Sequence, residues 1–115
     1  MVKLESLKKS SHFKIVLKER KFHTDFFSVF VAKNFVKSNR KNVLRISFVM
    51  KKKIGTATKR NRIKRKLKAI VLKLLKIKGA INYNYTYIVF GKTKAYEEKH
   101  NTLLSEMTKI FKKIK

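Results

Sequence analysis

At 115 residues the chain has the length of one domain, able to bury about two thirds of its unfolded surface, and 43% hydrophobic residues can supply a core. Against 6 Asp and Glu stand 32 Lys and Arg, giving a formal charge of +26, and there is no Cys. These figures argue against wholesale disorder and exclude disulfides and thiolate metal sites, and no apolar run approaches the ~20 residues of a membrane span. A genome rich in A and T would inflate Lys, but it would not remove acids, and from Phe26 to Tyr96 there is no Asp or Glu. A fold this cationic repels itself unless a polyanion supplies counter-charge, so nucleic acid is the expected partner.

Residues 1–9 read as a flexible basic tail and 10–115 as the domain. The tail shows no apolar stretch like a secretion signal, and with no Cys this favours a cytoplasmic location. Ser10 or Ser11 is expected to cap a short helix with Phe13, Val16 and Leu17 on its inner face. His12, His23 and His100 are too far apart for metal-ligand spacing. Asp25–Ala32 (DFFSVFVA) reads as a strand, with Phe27, Val29 and Val31 on one face and Phe26, Ser28 and Phe30 on the other. A polar, basic connection over Lys33–Asn42 follows. Asn42–Met50 is a second strand, with Leu44, Ile46, Phe48 and Met50 buried and Arg45, Ser47 and Val49 outward.

Lys51–Lys78 (KKKIGTATKRNRIKRKLKAIVLKLLKIK) is the most informative stretch. Ile63, Leu67, Ile70, Val71, Leu74 and Leu75 recur at helical spacing, while Arg62, Arg65, Lys68 and Lys76 project from the other side. Thr56 or Thr58 can cap this helix, and Gly79 suits its end. Between Lys51 and Lys68, ten of eighteen residues are Lys or Arg and none is acidic. A basic helix face is often only a solvated face. Here its density argues for phosphate contact, as do Arg60, Arg62 and Arg65 in a Lys-dominated chain and the placement of Lys51, Lys52 and Lys53 before Gly55. Tyr83–Phe90 then reads as a central strand, Gly91 and Lys92 as a turn, and Glu97 and Glu98 as the opening of a last helix. That helix carries an apolar stripe from Leu103 to Ile114. The predicted order is αββαβα: one α+β sandwich domain without repeats. Six acids and no matched pair of carboxylates make catalysis by protein side chains hard to assemble.

KKKIGTATKRNRIKRKLKAI resembles the signature of the protein component of bacterial ribonuclease P, roughly S-K-K-x-G-N-A-V-x-R-N-R-x-K-R. Lys52, Lys53, Gly55, Ala57, Arg60, Asn61, Arg62, Lys64 and Arg65 match it as they stand. Thr56, Thr58 and Lys51 depart from it, as do Leu17, where a second aromatic is frequent, and Lys92, where Arg is frequent. The resemblance implies a fold like the second domain of ribosomal protein S5, with a left-handed βαβ crossover. It also implies an endoribonuclease whose RNA subunit, with bound Mg²⁺, removes the 5′ leader of precursor tRNA, and no catalytic or metal-binding residue in the protein. By that reading Lys52, Lys53, Arg60, Asn61, Arg62, Lys64, Arg65 and Lys68 face the catalytic RNA, although Arg60 and Lys64 lie near the apolar flank and can instead brace the helix. Phe13, Ser28, Phe30, Ser47 and Lys51 would form a leader-binding cleft between the first helix and an open sheet face. The partners implied are ribonuclease P RNA and precursor tRNA, with no protein partner and no membrane. The competing readings are a ribosomal or other structured-RNA binder without a processing role and, from another class, a membrane-active protein.

Overall fold

In a computed structural model, the protein is described over residues 3–35, 43–77 and 79–114. Five strands form one sheet: β1 (Lys3–Glu5), β2 (Arg20–His23), β3 (Phe27–Lys33), β4 (Val43–Val49) and β5 (Tyr85–Gly91), in the order β1-β4-β5-β3-β2. Three helices accompany them: α1 (Ser10–Leu17), α2 (Ala57–Leu75) and α3 (His100–Lys113). β4 pairs in parallel with β1 and β5, whereas β3 runs antiparallel to both β5 and β2. The unit β4–α2–β5 therefore joins neighbouring parallel strands.

The alternation read in the strands decides which helices cover which face. Phe27, Val29, Leu44, Ile46, Tyr87 and Val89 point to one side and meet the stripes of α2 and α3. The opposite side carries a smaller cluster of Val16, Ala32 and Ile88, with Phe13, Phe30 and Phe90 against it. β5 is central because Thr86 to Val89 are buried on both faces. Gly91 is required where β5 passes α2: a Cβ there would lie 2.4 Å from Met50 Sδ and 2.8 Å from Ile63 Cγ2.

The sequence expectation misses two short strands. Residues 1–9 are read as a loose tail, but Lys3–Glu5 pairs in register with Val43–Arg45, and Leu7 N–H donates to Ser47 Oγ at 2.8 Å. Arg20–His23 likewise pairs with Ser28–Val31. Both are edge segments of three or four residues with a single apolar residue each, too short to show a pattern of their own, so only pairing defines them. One consequence is that Arg45 and Ser47, expected to face outward, are buried under the N-terminal segment. Another correction concerns α3. It begins at His100 behind a 3₁₀ turn over Thr93–Tyr96, so Glu97 and Glu98 precede its first turn. Similarly, α1 starts after Lys9 without a side-chain cap, and Leu17, expected inward, is exposed. α2 ends at Leu75, before Gly79, whose φ of +77° serves the following turn. Most of the predicted connection over Lys33–Asn42 lies outside the described residues.

Candidate nucleic-acid interface

α2 opens where Thr56 Oγ1 accepts the Lys59 N–H at 3.2 Å, closing one of the donors left free at a helix start. Before it, Lys52–Ile54 form a 3₁₀ turn and Gly55 adopts a φ of +143°, a region other residues rarely enter. Ile63, Leu67, Ile70, Val71 and Leu74 are buried, which turns the rest of the helix outward. Asn61, Arg62, Lys64, Arg65 and Lys68 are exposed on one continuous surface, and Lys52 and Lys53 extend it beyond the N-terminus.

The two flanks of this surface are built differently. On one, Arg60, Asn61 and Lys64 border a small hollow beside Phe48 and Met50. Arg60 is half-buried there, and its Nε is shielded from solvent without a hydrogen-bond partner. On the other flank the Tyr96 ring lies 4.9 Å from the Lys59 ammonium and 5.2 Å from the Arg62 guanidinium.

A cavity of about 600 Å³ opens beside the N-terminal end of this surface, lined by Ser28 and Phe30 of β3, Phe90 of β5, and Lys51, Lys53 and Lys92. Phe30 and Phe90 meet edge to face at 5.3 Å, and both are half-buried. The Lys51 ammonium stands 5.6 Å from the Phe90 ring, and Lys92 Nζ donates to Thr24 O at 2.6 Å. His23 Nδ1 and Ser28 Oγ are 2.6 Å apart. Half-buried aromatic rings among lysines match the needs of an unpaired nucleic-acid strand, whose bases stack while its phosphates pair with cations.

The protein-family model described as Ribonuclease P matches residues 1–115. The chain belongs to the ribonuclease P family. It is similar to the RNase P protein from Thermotoga maritima, with a TM-score of 0.74 and 25% identity, covering 96% of this chain and 98% of that one. A structure of the T. maritima RNase P protein in complex with 1-(4-fluorophenyl)-2-thiourea gives a TM-score of 0.69 and 26% identity over 90% of this chain and 94% of that one. The RNase P protein from Staphylococcus aureus shares the fold, with a TM-score of 0.67 and 22% identity over 95% and 93% of the two chains. No curated protein sequence matches.

Within this ribonuclease P fold, the residues expected at the RNA face share one surface, with Arg60 at its margin. The expected cleft does not form as one site. Ser28, Phe30 and Lys51 line the larger cavity, whereas Phe13 and Ser47 line a second one of about 300 Å³ beside Lys64 and Lys68 of α2. The N-terminal segment explains the split, because Leu4 and Leu7 lie in the second cavity and Leu7 N–H occupies the Ser47 hydroxyl. Sequence reasoning overlooked His23, Phe90 and Lys92 in the larger cavity. For Phe90 the alternation of β5 offered a signal, since it places residues 88 and 90 on the side away from α2. Among the described residues, no cluster of three or more His, Cys, Asp or Glu could hold a metal, and no helix is long and apolar enough to cross a membrane.

Proposed function

We propose that this chain acts as the protein subunit of a bacterial ribonuclease P, its α2 face docked on the catalytic RNA and its larger cavity on the 5′ leader of precursor tRNA. The observation that carries this reading is the continuous cationic surface of α2 ending at a cavity that holds two half-buried aromatic rings and three lysines. Two polyanions repel when brought together, and a wedge of Lys and Arg between them lowers that repulsion by releasing counterions. Phosphate on Arg60, Arg62 and Arg65 would fix register, while stacking on Phe30 and Phe90 would tolerate any leader sequence.

Hydrolysis of the phosphodiester is assigned to the RNA subunit with its Mg²⁺. Among the described residues no group of three or more His, Cys, Asp or Glu comes together, a donor set that does not fit a Mg²⁺ held by the protein alone. The working location is the cytoplasm. Family membership disfavours the ribosomal or general structured-RNA reading. Reconstitution tests the proposal: added to catalytic RNA and precursor tRNA at low Mg²⁺, the chain should accelerate release of the 5′ leader. Unchanged cleavage, despite binding to both RNAs, would contradict it.

A further inference from the structure

Lys66 stands one helical turn beyond Arg62, yet its ammonium is turned inward. It donates to three main-chain carbonyls: Ala95 O at 2.9 Å, Tyr96 O at 2.8 Å and Glu98 O at 2.8 Å. An ammonium has three donors, so every one is engaged within the protein. Burial, and after it the positive field of Arg62, lower the Lys66 pKa from 10.5, against the opposing pull of Glu98 and Glu97. Lys66 thus resembles its basic neighbours in sequence but is committed to the segment that links β5 to α3.

That segment carries Tyr96, whose ring attracts Lys59 and Arg62. Lysine and arginine side chains lose much rotamer freedom when they grip a phosphate, and a ring that already holds them in place reduces that loss. We propose that Lys66 is a positioning residue of the RNA-binding face: by clamping the carbonyls of residues 95, 96 and 98 it fixes Tyr96, which in turn holds Lys59 and Arg62 in the geometry that meets the RNA backbone. This inference rests on the reading of α2 as the interface with catalytic RNA. It adds a residue that touches no nucleotide to the determinants of affinity.

A double-mutant cycle on affinity for the catalytic RNA tests it, using Lys66→Met, which keeps the aliphatic stem, and Arg62→Gln, with folding checked by circular dichroism. Each single substitution is expected to weaken binding roughly tenfold, and the double by clearly less than the product of the two losses, because Lys59 is the one ring-held cation that Arg62→Gln leaves in place. Lys66→Met should also lower the slope of log affinity against log salt by about one, as though a phosphate contact were lost. Losses that multiply, with the salt slope of Lys66→Met unchanged, overturn the proposal and leave Lys66 a structural staple. If Lys66→Met does not fold, Tyr96→Leu enters the same cycle with the same two outcomes, because it leaves the ammonium and its carbonyls in place. Wild-type binding with multiplying losses sinks this proposal alone, whereas absence of wild-type binding removes the interface reading as well.

Discussion

Phe30 and Phe90 are poised between two roles. Each packs against the small cluster around Val16 and Ile88, and each also borders the larger cavity. A full core residue would be buried and a free platform would be exposed; these are neither. Phe30→Ala is therefore expected to weaken binding of leader-bearing precursor more than of mature tRNA, by about 1–3 kcal/mol if one base stacks on it. Comparing the two substrates on the reconstituted complex checks this, and equal losses would assign Phe30 to packing alone. Tyr87 is the opposite case. Buried under α3, it donates its hydroxyl to Asn82 O at 2.7 Å, and burial raises its pKa above the ordinary 10.0. The folded state then keeps a proton that the unfolded state releases, so this contribution to stability is whole below pH 10 and is lost as pH rises above it. Phenolate absorbance should show Tyr87 ionising only with unfolding, a late step that Tyr87→Phe should abolish.

Among the elements, α2 depends on its N-terminal cap and on the close passage of β5 beside Ile63. Thr56→Ala removes the side-chain cap and should cost about 1 kcal/mol. Gly91→Ala should cost more, about 1–3 kcal/mol, because the added methyl must displace Met50 and Ile63 where β5 meets the helix. Thermal denaturation distinguishes both variants from wild type. α2 was also the element most legible in the sequence, since Ile63 to Leu74 keep helical spacing and the cations fill the remaining positions. β3, β4 and β5 were legible for the same kind of reason, through alternation. What escaped reading was made by distant partners. β1 exists because β4 offers it an edge, and Arg45 looked solvent-facing until that strand brought Glu5 to within 4.0 Å of it. Lys66 looked like one more exposed cation, because its three carbonyl acceptors lie 29 to 32 residues further along the chain.

For the molecule as a whole, the distribution of charge matters more than its total. The apolar surface of α2 is spent on the sheet, so its cations are held on a rigid rod and presented together. Binding should accordingly be steep in salt: if 6–10 phosphates are neutralised, affinity falls by about 10³–10⁵ between roughly 50 and 200 mM by the duplex estimate, somewhat less for single strands. The most direct measurement is the affinity of Arg62→Gln/Arg65→Gln for the catalytic RNA across that salt range, beside wild type. A shallower salt slope, by roughly 1.4–1.8, is expected, with impaired assembly and leader removal at physiological ionic strength. An unchanged slope with full assembly and full leader removal would contradict it.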